Sequence, residues 1–138
     1  MEIRSVQSGD DQQVIALWRR CGLVVAWNDP QRDIERKRAV QPELFLAGEL
    51  SGRLVGSVMA GYDGHRGWLY YLAVDPDFRR RGLGRLLVEE AQRRLVAMGC
   101  PKINLLVRTS NEVVLDFYRR LGFKPDDVQS LGKRLIAD

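Results

Sequence analysis

The sequence predicts an α/β fold (α+β type) in which a mixed, mostly antiparallel sheet carries helices on both faces, and three observations predict it. Leu44 to Leu50 and Leu54 to Tyr62 are two extended stretches joined by the turn-forming pair Ser51-Gly52, which reads as a hairpin. Trp68 to Val74 is almost wholly apolar, as expected of a strand covered on both faces. From about Gly82 to Met98, Leu83, Leu87, Ala91 and Leu95 recur four apart while Glu89, Glu90, Arg93 and Arg94 take the other side, which is an amphipathic helix.

The remaining elements follow in order. Glu2 to Val6 reads as a first strand. Asp10 or Asp11 can cap a helix whose apolar residues Val14, Leu17, Trp18 and Cys21 keep helical spacing. A second, highly charged helix runs to about Val40, with Asp29 as its cap and Pro30 at its first position. Gly99 and Pro101 close the long helix, and Ile103 to Val107 is a further apolar strand. Asn111 to Leu121 is another helix, stopped by Gly122. A hairpin-like pair around Phe123 and Val128 to Ile136 is expected to end the chain. The order β-α-α-β-β-β-α-β-α-β-β fits layers of helix, sheet and helix.

With 138 residues, 45% of them hydrophobic, the sequence predicts one domain over residues 1–138. It has no apolar run of 18 residues and no basic-then-apolar leader at its start, so a cytoplasmic protein away from membranes is expected. Cys21 and Cys100 are the only cysteines, which argues against a disulfide framework and against a metal site. His65, the one histidine, sits in Asp63-Gly64-His65-Arg66-Gly67 without a Gly-x-Ser-x-Gly elbow, so a solvated loop histidine is expected. The net charge of +4 is concentrated at Arg79, Arg80, Arg81 and Arg85. Clustered arginine beside glycine suggests one anionic ligand rather than a nucleic-acid track.

That cluster lies in Val74-Asp75-Pro76-Asp77-Phe78-Arg79-Arg80-Arg81-Gly82-Leu83-Gly84-Arg85. A strand runs into a glycine-containing loop and the loop into a helix, which leaves N–H groups and the positive dipole end facing an anion. Glycine at 82 and 84 keeps side chains from holding a bulky anion off the backbone. No Gly-x-x-x-x-Gly-Lys-Ser/Thr run is present, and Leu87 stands where a dinucleotide fingerprint needs its third glycine. The motif is Arg-x-x-Gly-x-Gly.

About 25 residues on stands Asn111-Glu112-Val113-Val114-Leu115-Asp116-Phe117-Tyr118-Arg119-Arg120-Leu121-Gly122-Phe123. Seven residues separate Asn111 from Tyr118, so two helical turns put them almost in line. Asn111 can equally cap the helix. Tyr118, beside Val114, Phe117 and Leu121, can equally belong to the core.

On these two segments the chain resembles the GNAT superfamily of N-acetyltransferases over nearly its whole length. The family's pyrophosphate loop reads Arg/Gln-x-x-Gly-x-Gly/Ala, and its later segment reads Asn-x-x-Ala-x-x-Phe-Tyr-x-x-x-Gly-Phe, with Val114 here in place of alanine. The resemblance implies acetyl-CoA as donor cosubstrate, no metal, and an amine acceptor attacking directly in a ternary complex. It implies that the backbone at Leu72, Ala73 and Val74 faces the acyl and pantetheine end. Arg79, Arg80, Arg81, Gly82, Leu83, Gly84 and Arg85 would hold the pyrophosphate, mostly through amides. Asn111 would contact the pantetheine arm and Tyr118 would protonate the leaving thiolate. A homodimer is allowed for.

The same resemblance leaves the general base open. Tyr70 and Tyr71 occupy the strand where many relatives carry an acid, and Leu106 stands where enzymes acetylating protein N-termini often have Glu. Glu43, Glu49, Asp63 and a water relay remain as alternatives. A CoA-binding sensor without turnover would keep Gly82 and Gly84 but lose Tyr118, which is present. A small basic nucleic-acid binder would interleave aromatics with its arginines, and this chain does not. The acceptor is expected over the first two helices and the Cys21 to Pro30 connection, where Trp27 and Asn28 could line a pocket or simply pack.

Overall fold

Two tight antiparallel connections and one crossover helix organise the sheet. The computed structural model describes residues 1–138. Strands β1 (Glu2–Ser5), β2 (Phe45–Leu50), β3 (Arg53–Tyr62), β4 (Gly67–Val74) and β5 (Ile103–Leu105) form one sheet in the order β1-β2-β3-β4-β5. The first three pairings are antiparallel. β5 is reached from β4 through a long helix, and the sheet is mixed. The expected hairpin forms at Ser51-Gly52, both residues taking positive φ.

Helices α1 (Asp11–Arg20), α2 (Pro30–Arg38), α3 (Leu83–Ala97) and α4 (Glu112–Arg120) match the four expected helices within a residue or two. Asp29 caps α2 as expected: its carboxylate accepts from the amides of Gln31 and Arg32, and Pro30 opens the helix. The start of α1 works differently. Asp10 spends its carboxylate on Arg4, at 2.7 and 3.0 Å, and on the Gln7 amide, tying β1 to the helix entry rather than capping α1.

Adjacent residues of β3 place helices on opposite faces, because side chains alternate along a strand. Ser57 accepts a hydrogen bond from Trp18 Nε1 of α1 at 3.0 Å. At Gly56 an added Cβ would lie 2.8 Å from Leu87 of α3, so the absence of a side chain there lets α3 pack close to the sheet. The α1 face holds a core of Val14, Leu17, Trp18, Ile34, Phe45, Ala47, Leu54, Met59 and Ala73. On α3, Leu83, Leu87, Val88, Ala91 and Leu95 are buried, the stripe that the sequence spacing predicts. β4 is less covered than its apolar sequence suggests, since Tyr70 is 47% exposed.

The chain divides into two compact units, one of Met1–Asn104 with Asp138 and the other of Leu105–Ala137. In the first, Asp138 is nearly buried and its carboxylate accepts from Arg36 at 2.6 Å and from the Asp29 amide at 3.0 Å. In the second, α4 is the only helix or strand besides the end of β5. The expected closing hairpin is absent: residues 124–137 form neither strand nor helix. Val128, Leu131, Leu135 and Ile136 are spaced by three, four and one, so no period-two pattern fixes a register. Pro125, Asp126, Asp127 and Gly132 are further poor strand formers. No helix is long and apolar enough to cross a membrane.

Candidate functional site

The end of β4 and the loop into α3 are built around Asp75. Its carboxylate is 3% exposed and accepts from Arg20 at 2.9 Å, from Arg53 at 3.1 Å and from the Asp77 amide at 2.9 Å. Its own amide donates to Val55 O on β3. A short 3-10 turn, Pro76–Phe78, follows, and Arg53 and Arg81 both lie over the Phe78 ring, at 5.5 and 5.0 Å from its centroid. Two loop residues then take left-handed backbone, Arg80 with φ 64° and Gly82 with φ 74°. Gly82 is the N-cap of α3 and supplies no side-chain acceptor to the helix amides. The first helical hydrogen bond, Leu86 N–H to Gly82 O, leaves the amides of Leu83, Gly84 and Arg85 at an open helix start.

All four arginines of the motif are exposed, but three are tied locally. Arg79 Nε donates to Val74 O at 3.2 Å, Arg81 sits on Phe78, and Arg85 pairs with Glu89 at 2.8 Å. The loop therefore offers its backbone first and its guanidiniums second, which fits a bulky polyanion such as a pyrophosphate.

Leu72 lies in a β-bulge that the sequence did not announce, and Ala73 and Val74 follow it. Ser57 faces Ala73 and Met59 faces Tyr70, so Tyr71 and Leu72 together stand opposite Val58. Tyr71 has φ 52°, an unusual conformation for an aromatic residue. Its ring stacks on Trp18 with centroids 3.7 Å apart and planes within 8°. Its hydroxyl donates to Asp33 Oδ2 on α2 at 2.6 Å, and its carbonyl accepts from Ser57 Oγ at 3.0 Å. Burial and the bond to Asp33 raise the Tyr71 pKa far above the usual phenol range, so it keeps its proton. In the sequence Trp18 is one apolar residue of an amphipathic helix, and neither Ser57 nor Asp33 carries a signal of its own. Only the backbone angle and the side-chain contacts reveal their connection.

In the second unit, Asn111 is the N-cap of α4 and its Oδ1 accepts from the Val114 amide at 3.3 Å. The cap uses the carbonyl side of the carboxamide, and its NH2 group remains a donor. Tyr118 is buried, with Phe117 and Phe123 meeting its ring edge-on at 5.1 and 5.3 Å. Burial pushes its pKa up to about 12. The segment thus gives both residues structural duties of the kind the sequence left open.

The leftover base candidates are engaged elsewhere. Asp63 accepts from the amides of His65 and Arg66, which hold its carboxyl below the usual range and make it a poor base. Glu49 pairs with Arg4 at 2.9 Å. Glu43 lies in the 3-10 turn Pro42–Leu44, and its charge faces Lys37, whose pKa burial lowers. His65 is exposed in its loop, and Trp27 is 56% exposed.

Comparison with known proteins bears on this geometry. The family model described as Acetyltransferase (GNAT) family matches residues 8–123. An acetyltransferase of Yersinia enterocolitica is 53% identical over 138 residues, covering 100% of this chain and 98% of its own length. The ribosomal-protein-S18-alanine N-acetyltransferase of Escherichia coli is similar in structure, with TM-score 0.74 and 26% identity over 89% of this chain and 77% of that one. The PaiA N-acetyltransferase of Thermoplasma acidophilum, solved in complex with coenzyme A, has TM-score 0.73 and 21% identity over 93% of this chain and 92% of that one.

Proposed function

This chain belongs to the acetyltransferase (GNAT) family, and from that premise we propose that it moves the acetyl group of acetyl-CoA to a primary amine of a small molecule or peptide. The observation that carries the reading is the Gly82-capped start of α3. A 15-residue helix begins at a left-handed glycine with no side-chain cap, behind a loop anchored by buried Asp75. The family match crosses both units, which supports treating residues 1–138 as one catalytic domain. We place its work in the cytoplasm, without metal or nucleic acid.

In this reading the amides of Leu83, Gly84 and Arg85 bind the pyrophosphate, with Arg79, Arg80, Arg81 and Arg85 adding positive charge. The backbone of Leu72, Ala73 and Val74 receives the pantetheine and the thioester, and one of its amides donates to the developing oxyanion. Asn111 contributes its NH2 to the pantetheine arm. The amine attacks the thioester carbon directly and its proton passes to solvent. The C–S bond breaks, and the CoA thiolate takes a proton from Tyr118, which is reprotonated from solvent. A phenol held at about 12 is protonated throughout the neutral range. It is always loaded, at some loss of driving force relative to an unperturbed tyrosine.

The direct test is a panel of polyamines, amino acids, aminoglycosides and peptides incubated with acetyl-CoA and the protein. CoA release with a matching gain of one acetyl group on an amine is expected for at least one class. Acetyl-CoA binding with no transfer to any amine would instead favour a CoA-sensing module.

A further inference from the structure

The strained residue before Leu72 is where the structure says more than the acetyl-transfer reading requires. A bulky aromatic side chain at φ 52° is unfavourable in isolation and persists only where its surroundings fix it. Three contacts hold Tyr71, one from each of three elements. Asp33 on α2 holds the hydroxyl at 2.6 Å, Trp18 on α1 stacks on the ring at 3.7 Å, and Ser57 on β3 donates to the carbonyl at 3.0 Å. Trp18 Nε1 in turn donates to Ser57 Oγ at 3.0 Å. Ser57 and Trp18 have no solvent exposure, so water cannot replace either bond.

We propose that Trp18, Ser57, Tyr71 and Asp33 form a clamp that holds the β4 bulge open, and that these side chains are positioning residues for acetyl transfer. The inference rests on the proposed function, because the task of the clamp is to aim the backbone of Leu72 and Ala73 at the thioester. Neither Tyr71 nor Asp33 touches the reacting atoms in this account. The clamp acts through the backbone: Tyr71 sets the turn, and the turn sets the direction of the next amides. A bulge leaves its extra residue out of the ladder, so side chains rather than strand pairing must fix that direction. Displacements of about 1 Å at a reacting centre can cost about 10²-fold in rate.

Two features of the surroundings make the test clean. Arg36 donates to Asp33 Oδ1 at 3.2 Å but also binds Asp138 at 2.6 Å, so removing the Asp33 charge leaves Arg36 paired. Asparagine at 33 can still accept the Tyr71 hydroxyl through its Oδ1. The clamp therefore requires an acceptor at position 33 and not a charge.

The experiment compares the wild type with Asp33→Ala, Asp33→Asn, Tyr71→Phe and the double variant Asp33→Ala/Tyr71→Phe, using an amine from the panel. Melting temperature, acetyl-CoA Kd, kcat and the pH profile of kcat are measured for each. The expected result is a kcat lowered about tenfold or more in Asp33→Ala and Tyr71→Phe, with acetyl-CoA affinity nearly unchanged and the pH profile unmoved. Asp33→Asn should recover most of kcat, and the double variant should be no slower than the slower single one. Folded Asp33→Ala and Tyr71→Phe proteins with wild-type kcat would overturn the clamp while leaving acetyl transfer intact. An Asp33→Asn as slow as Asp33→Ala would also overturn it, because the charge would then matter. Should Asp33→Ala not fold, Tyr71→Phe, which keeps the ring stack, decides alone. A wild type that neither binds acetyl-CoA nor acetylates any amine would remove the premise and overturn both readings.

Discussion

Tyr71 and Gly82 stand eleven residues apart, both in left-handed backbone and both just before amides assigned to the same ligand, yet they reach that state by opposite means. Gly82 at φ 74° has no side chain, and an added Cβ would meet nothing within 4 Å. It needs no support because the conformation costs glycine little. Tyr71 at φ 52° is held by a stack and two hydrogen bonds from three elements. The comparison teaches that a strained backbone position can be written either as a permissive residue or as a set of contacts. The first kind is local and shows in the sequence. The second is assembled by the fold, from residues 14 to 53 positions away along the chain.

The largest expected effect lies outside this pair and calibrates it. Tyr118→Phe should lower kcat by about 10²-fold, since positioned acids contribute 10²–10⁴. Its ring contacts with Phe117 and Phe123 would remain, so stability should change by about 1 kcal/mol or less. Acetyl-CoA affinity should hardly move. Near-normal kcat in a folded variant would leave Tyr118 as core and the thiolate to solvent.

Ser57→Ala should cost about 1–3 kcal/mol, because Trp18 Nε1–H and the Tyr71 carbonyl each lose their partner in a buried place. Chemical denaturation measures it. A smaller loss than that of Gly82→Ala would say that the clamp holds less than the comparison claims.

Gly82→Ala should cost about 1–2 kcal/mol of backbone strain alone, since the new methyl has open space around it. No clamp compensates at 82. A neutral substitution would mean the loop readjusts, and the contrast between the two positions would weaken.

The smallest effect is in pH dependence. Tyr118 keeps its proton in the folded protein up to about 12, whereas an ordinary tyrosine releases it near 10.0. Between those values the unfolded chain binds fewer protons, so raising the pH should destabilise the fold, with no contribution from Tyr118 below that window. Tyr118→Phe should remove this part of the alkaline fall, as melting curves across pH 9 to 12 would read.

Much of the fold was legible because its signals are local. Ser51-Gly52, Asp29-Pro30 and the Leu83–Leu95 stripe each determine their own element. The loop into α3 was legible for the same reason: Arg79–Gly84 encodes an exposed turn and an uncapped helix start. The bulge was not, since nothing in Leu69-Tyr70-Tyr71-Leu72 marks a positive φ at a tyrosine. Nor was the coil of residues 124–137, where apolar content suggested strands but the spacing of Val128, Leu131, Leu135 and Ile136 gives no sheet face.

The central claim is that the start of α3 binds the pyrophosphate of acetyl-CoA, and titration of acetyl-CoA into wild-type protein and into Gly84→Glu tests it most directly. A glutamate there crowds the anion and adds negative charge at a helix N-terminus. The account predicts saturable binding to the wild type, a stabilisation of about 2.7 kcal/mol at 100-fold Kd, and little response to ATP or NAD at equal concentration. Gly84→Glu should stay folded and lose that binding. A folded Gly84→Glu with wild-type acetyl-CoA affinity, or an equal response of the wild type to ATP, would contradict it.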